Sequence, residues 1–317
     1  MSEERTVGER TAGGMTAREL TRAQKVQHTL MLLVTAMVWG AAFVAQSVGA
    51  EYVGPFTYLA ARSWLAAAAL VPVIAFADRR AVRVYGMTFA PKTAGQRRDL
   101  LLGSLMCGTL LCTASAAQQA GIAYTTTAKS GFITALYCVL VPIELSALGK
   151  KQDRRIWLCV ILAVAGLYLL CMHGGEKLAL GDSLTLLCAL IFSFQILTVS
   201  HFVQRVDGVR LAQGQFIATA LISTVCALLF ESFRGSSLMA ALPSILYAGL
   251  ISSAVGYTLQ IVAQRGLDPT VASLAMCLES VFSALAGWLL LGQTMTGQEM
   301  AGAGMMFAAI VLAQLFG

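Results

Sequence analysis

Apolar residues gather along this chain into ten long runs, each bounded by charge, Gly or Pro. They extend from His28 to Gly49, Pro55 to Phe76, Leu100 to Gln119, Thr125 to Leu148, Ile156 to Met172, Ser183 to Val203, Leu211 to Phe230, Pro243 to Gln264, Thr270 to Leu291 and Glu299 to Phe316. A helix crossing a hydrocarbon core about 30 Å thick needs roughly 20 residues. The pattern therefore predicts an all-α, polytopic membrane protein with ten transmembrane helices. The longest stretches left outside are Met1 to Gln27 and Ala77 to Asp99, too short for a second domain or a sizeable aqueous catalytic domain.

Composition agrees: 57% of residues are apolar and 12% charged, with a mean hydropathy of +0.74, where a soluble domain is roughly 25% charged. The net charge of +6 becomes informative through its placement. Eighteen of the 22 Lys and Arg residues fall in the N-terminal tail and the even-numbered loops, against only Lys177 and Arg234 in the odd-numbered loops. Because cytoplasmic loops retain Lys and Arg, the tail, the even loops and the C-terminus are expected in the cytoplasm, with the chain threaded through a plasma (bacterial inner) membrane. The positive charge is then a topology signal and calls for no nucleic-acid partner. Residues 1–27 read as a mobile cytosolic tail, too polar for a signal peptide.

The eight cysteines all lie in apolar segments, without a CxxC pair or a His at ligand spacing, so neither a metal nor a disulfide framework is expected. Ten spans divide naturally into two sets of five, residues 28–172 and 173–317. Laid so that Leu148 and Gly149 meet Leu291 and Gly292, the halves also bring Ala165 onto Ala308. With a small slip, Gly121 to Ser130 lies over Gly266 to Ser273. An odd number of spans per half makes such a repeat inverted in the membrane, a transporter architecture with its site near the midplane.

The same residues carry a family resemblance. Trp39-Gly40-Ala41-Ala42-Phe43 in the first span, Arg62 in the second, and Gly121 to Tyr137 followed by Val141-Pro142 around the fourth are the main part. Together with Gly181-Asp182 opening the sixth span and Glu279 in the ninth, they resemble the EamA-type branch of the drug/metabolite transporter superfamily. The likeness covers residues 28 to 316 and departs at the end of the ninth span, where Gly292-Gln293 stands in place of a common Gly-Glu. It implies a secondary transporter of a small metabolite, an amino acid or related compound in the first instance, exporting by alternating access and needing no cofactor. Nucleotide sugars and drug-like solutes are the alternative cargoes.

Charges inside a bilayer are expensive, so each retained one needs a reason. Four stand out: Arg62, Lys129, Glu144 and Glu279. At about 100° per residue, Glu144, Tyr137 and Ser130 fall within about 100° of Lys129, giving the fourth span a polar face. Glu144 lies near a loop and is a candidate gate. Lys129 is a candidate for recognising an anionic group, and Arg62, with Tyr58 one turn earlier, must face a partner or a wet cavity. Glu279, near the centre of the ninth span, is the candidate proton-coupling group or amine acceptor; its bland alternative is an ion pair with Arg62 or Lys129.

Polar stripes accompany these charges: Thr35, Trp39, Phe43 and Gln46 in the first span; Ser104, Gly108, Ser115, Gln118 and Gln119 in the third; Ser253, Gly256, Tyr257, Gln260 and Gln264 in the eighth. Such stripes also serve ordinary helix packing. Around four charges they point instead to a polar, aromatic-edged cavity for a zwitterionic or mixed polar and apolar solute. The expected substrate-binding set is Trp39, Phe43, Gln46, Tyr58, Arg62, Gln118, Lys129, Tyr137, Tyr257, Gln260 and Glu279.

No Walker-type GxxxxGK[ST] loop is present, so ATP hydrolysis by this chain has no support. Leu180-Gly181-Asp182 resembles part of an intramembrane protease motif but lacks its first Gly and a second intramembrane Asp, and Asp182 reads more simply as a helix cap. His28, His173 and His201 sit at segment ends, which disfavours a Ser/His site. The expectation is a non-enzyme. A non-transporting receptor or scaffold is the remaining class, and self-association is left open.

Overall fold

The computed structural model describes residues 22–86, 88–125, 127–171, 180–232, 235–291 and 296–316. Among these there is no strand. The helices are α1 (Arg22–Ala50), α2 (Pro55–Tyr85), α3 (Ala94–Ile122), α4 (Thr127–Ala135), α5 (Tyr137–Ala147), α6 (Arg154–Cys171), α7 (Leu180–Phe202) and α8 (Gly208–Phe230). Then follow α9 (Gly235–Ala240), α10 (Leu242–Leu246), a π-helical segment (Tyr247–Tyr257), α11 (Thr258–Gln264), α12 (Pro269–Met276), α13 (Glu279–Leu291) and α14 (Gly297–Phe316). Eight stretches of the described residues are long and apolar enough to cross a bilayer, and α6 and α14 occupy the places of the fifth and tenth expected spans. In α6 the first turn is given to Arg154 and Arg155, and the apolar run of α14 is confined to Met300–Ala313.

Local chemistry sets the helix ends. Pro55 opens α2, where a missing N–H costs nothing. Gly86 closes it at φ 66°, a left-handed conformation suited to glycine, returning its N–H to Val82 O at 3.0 Å. Thr93 and Gln96 form a reciprocal capping box at the start of α3, and Asp207 and Asp268 cap α8 and α12. Large apolar side chains such as Leu101, Leu158, Ile161, Leu228 and Phe230 point outward and exposed. The interior combines an apolar core, including Leu32, Leu111, Leu211 and Phe216, with buried polar side chains such as Gln195, Gln215 and Thr219.

Three spans are not continuous α-helices. The fourth breaks at Leu136, between α4 and α5, and Pro142 lies inside α5 beyond that break. The ninth breaks at Cys277 and Leu278, between α12 and α13. The eighth passes through the π-helical segment, whose wider turns leave carbonyls open to side chains of α1: Trp39 Nε1 donates to Ser252 O at 3.2 Å and Thr35 Oγ1 to Gly256 O at 3.2 Å. Glycine makes this approach possible, since a Cβ on Gly256 would lie 2.7 Å from Trp39 Nε1.

Helix packing follows an exchange rule. The third span packs on the sixth as the eighth does on the first, the first on the ninth as the sixth on the fourth, and the third on the seventh as the eighth on the second. The second packs on the seventh and the fifth on the tenth, pairs that the exchange maps onto themselves. Every major contact therefore survives swapping each span with the one five places along, as two similar halves related by a two-fold axis require.

Candidate functional site

Where the two halves meet, the interior opens into one cavity. Its walls are Trp39, Ala42, Phe43 and Gln46 from α1, Arg62 from α2, Gln118 from α3, Thr134 from α4 and Tyr137 from α5. The second half adds Phe192, Gln195 and Ile196 from α7, Ser252, Tyr257 and Gln260 from the eighth span, and Glu279 from α13. About 450 Å³ of space lies among these side chains. It is a narrow cleft rather than a chamber.

Arg62 and Glu279 enter this cleft from opposite halves, 4% and 3% exposed. Among the described residues neither forms an ion pair, and Glu279 Oε1 has no hydrogen-bond partner. The Tyr137 hydroxyl approaches the Glu279 carboxylate without closing a hydrogen bond. The expected alternative of a structural Arg62–Glu279 ion pair is thus not what the structure holds. Buried charges left apart in this way are costly unless water or a ligand completes them.

Neighbouring polar groups are fixed more firmly. Gln118 Nε2 donates to Thr134 Oγ1 at 3.1 Å, and Gln119 Nε2 donates to Gln46 O at 2.9 Å, leaving the Gln46 side-chain oxygen free. Trp39 and Tyr257 rings lie 4.6 Å apart, and Tyr257 meets Phe216 edge-on at 5.7 Å. These tilted and edge-on ring contacts give the cleft an apolar edge.

Of the residues expected from sequence, Trp39, Phe43, Gln46, Arg62, Gln118, Tyr137, Tyr257, Gln260 and Glu279 come together here. Tyr58 does not. It is fully buried away from the cleft, with its hydroxyl 2.8 Å from Ser244 Oγ, which in turn donates to Ala45 O at 2.5 Å. Tyr58 therefore ties the first, second and eighth spans together. The side chain of Lys129 lies outside the described residues. Glu144 accepts a 2.5 Å hydrogen bond from Ser193 of α7, between the fourth and sixth spans and away from the cavity lining. Asp182 does not stand at the N-cap position of the sixth span: it is buried within the first turn of α7, where it accepts from Thr125 Oγ1 at 2.8 Å. Among the described residues no group of three potential ligands could hold a metal ion.

Sequence reasoning missed Ala42, Thr134, Ser252 and the whole contribution of α7. A signal for α7 existed: Phe192 and Gln195 repeat the spacing of Phe43 and Gln46, and the two pairs occupy the sixth and first spans. Gln118 and Gln260 likewise stand in the third and eighth spans, and Tyr137 and Glu279 each follow the break in the fourth and ninth. These matched positions share a Phe and two Gln between the halves, whereas Arg62, Glu279, Trp39 and Tyr257 have no chemical counterpart in the lining.

Comparison with known proteins places this geometry. The EamA-like transporter family matches residues 28–172 and 179–315. A protein of Archaeoglobus fulgidus named an uncharacterized transporter is 26% identical over 294 residues, covering 92% of this chain and 87% of that one. A crystal structure of a protein 20% identical in sequence superposes with a TM-score of 0.68, over 92% of this chain and 97% of the other, and so shares the fold.

Proposed function

Because the chain belongs to the EamA-like transporter family, we propose that it is a secondary transporter of a small zwitterionic metabolite, an amino acid or a close relative, exported by alternating access. The observation that carries this reading is the pair of uncompensated charges, Arg62 and Glu279, facing one cleft from the two halves of the bundle. A guanidinium takes a carboxylate in a two-point geometry, and a carboxylate takes an ammonium. In the same cleft the Trp39–Tyr257 ring pair offers apolar surface to a side chain. The matched packing of the halves supports an inverted repeat, in which rocking of one half against the other exposes the cleft to each face in turn.

In the same reading the side with most of the Lys and Arg residues faces the cytoplasm and the membrane is the plasma membrane. Glu279 is the proton-coupling group. Glu144, held by Ser193, is a gate between the fourth and sixth spans.

The test is a thermal-shift screen of the purified protein against amino acids, amines, nucleosides and phosphorylated sugars, followed by flux of each hit in proteoliposomes. An amino acid should stabilise the protein and be transported, and both effects should weaken sharply in Arg62→Ala and Glu279→Ala. Stabilisation and flux confined to nucleosides or phosphorylated sugars, or hits indifferent to both substitutions, would overturn the reading. Proton-driven flux undiminished in Glu279→Gln would remove the coupling role.

A further inference from the structure

A second cavity, remote from the cleft, lies where the loop between α2 and α3 meets the loops that precede α8 and α12. About 960 Å³ in extent, it is bounded by four cations, Lys92, Arg205, Arg210 and Arg265. Three come from separate loops and Arg210 from the first turn of α8, so their convergence is a product of the fold and not of one basic run in the sequence.

Arg210 is already engaged, paired with Asp78 of α2. The same Asp78 receives Thr88 Oγ1 at 3.0 Å, and Thr88 Oγ1 accepts from Ala90 N at 3.0 Å, so one carboxylate anchors both the arginine and the loop. The Gln96 side chain accepts from Lys92 N at 2.9 Å, and Gln204 Nε2 donates to Arg265 O at 2.8 Å. The backbone around Lys92 and Arg265 is thereby held by hydrogen bonds, while the side chains of Lys92, Arg205 and Arg265 have no ion-pair partner among the described residues. The only acid in the lining, Asp207, is committed to capping α8, accepting from Arg210 N at 3.0 Å.

Besides these cations, the cavity has an apolar wall of Phe89, Leu100 and Val206. Beyond Leu100, the next turns of α3 carry outward Leu101 and Leu105, 61% and 48% exposed. A charged mouth at the end of the spans that continues into an outward apolar surface fits an amphiphile. A free inorganic anion would use only the mouth.

We propose that this cavity is a binding site for the headgroup of an anionic phospholipid. The phosphate is held by Lys92, Arg205 and Arg265, and an acyl chain runs along Leu101 and Leu105 of α3. The proposal is independent of the transported solute, since the lining shares no residue with the cleft.

Native mass spectrometry of the purified full chain in a neutral detergent tests it, using dioleoylphosphatidylglycerol, dioleoylphosphatidylcholine and inorganic phosphate as separate probes. The expected result is adducts with the phosphatidylglycerol, few with the phosphatidylcholine and none with phosphate alone. The triple variant Lys92→Ala, Arg205→Ala and Arg265→Ala should weaken the phosphatidylglycerol adduct at least about tenfold, each exposed cation contributing to attraction of an anionic lipid. Removing as many charges elsewhere on that side, with Lys150→Ala, Lys151→Ala and Arg154→Ala, should leave it within about twofold. A variant that keeps the charges, Lys92→Arg with Arg205→Lys and Arg265→Lys, should retain binding, which separates loss of the site from loss of the fold. Equal weakening in the two alanine triples would overturn the proposal, as would an undiminished adduct in the first, or phosphate binding as well as the lipid.

Discussion

Arg62 and Glu279 face the same cleft from opposite halves of the bundle and do not pair with one another. If each holds one end of a zwitterion, their losses will be separable by ligand chemistry. Arg62→Ala should weaken binding of a full amino acid roughly tenfold to hundredfold and leave its decarboxylated amine almost unaffected, the value of a charge-assisted hydrogen bond being about 1.5–3 kcal/mol. Glu279→Gln should do the converse, sparing the deaminated acid. Titration calorimetry on the three ligands reads the pattern, and equal losses for all of them would mean that neither charge touches the solute.

Glu231, immediately after α8, caps the neighbouring α2. Its carboxylate accepts from the N–H groups of Phe56 and Thr57, both at 2.8 Å, and from Thr57 Oγ1 at 2.6 Å. It thereby satisfies donors that the first turn of a helix leaves open and places negative charge at the positive end of its dipole. Glu231→Ala should cost about 1–2 kcal/mol of stability, and Glu231→Gln less, in a thermal melt of the purified protein. A melting temperature unchanged in both would show that water serves the helix end equally well.

A Cβ added at Gly40 would sit 2.5 Å from Phe282 Cβ and 2.7 Å from the Phe282 backbone, whereas one at Gly131 would meet nothing closer than 3.5 Å. Gly40→Ala should therefore push α1 off α13 and destabilise by about 1–3 kcal/mol. Gly131→Ala, in the same region of the bundle, should be nearly silent. Melting temperatures of the two variants give the comparison, and equal effects would mean that the α1–α13 contact yields without strain.

Trp39 joins the cleft to the π-helical segment through its bond to Ser252 O. Trp39→Phe keeps an aromatic ring beside Tyr257 and removes the donor, at a cost of about 1 kcal/mol. Amide exchange across Tyr247–Tyr257, followed by mass spectrometry, should quicken. Unaltered exchange would show that packing alone keeps the wide turns open.

The ten apolar runs were plain in the sequence because a bilayer demands them, and so were most cleft residues, because polar side chains inside a membrane are conspicuous. Less visible was which polar face meets which. Tyr58 lies one turn from Arg62 and reads as its neighbour at the site, yet its hydroxyl is taken up by Ser244 nearer the helix end. Ala42 and Ile196 carry no polar mark at all, and they line the cleft only because of how their helices are rotated. The breaks at Leu136 and Cys277 lacked the Gly or Pro that usually announces one, arising in strings of ordinary helix formers. Basic residues read only as a topology signal gave no hint that four of them, three from separate loops and Arg210 from α8, meet.

The π-helical turns of the eighth span hold more residues per turn than an α-helix would, so the register of everything after them depends on chain length within a buried helix. Deleting one residue between Tyr247 and Tyr257 would let the span wind as an α-helix and swing the following turn by about 100°. Gln260 would leave the cleft, and another side chain would take its place. Single-residue insertions and deletions, ordinarily confined to loops, thus offer a bundle of this kind an evolutionary route to a different cargo without any point substitution in the cleft.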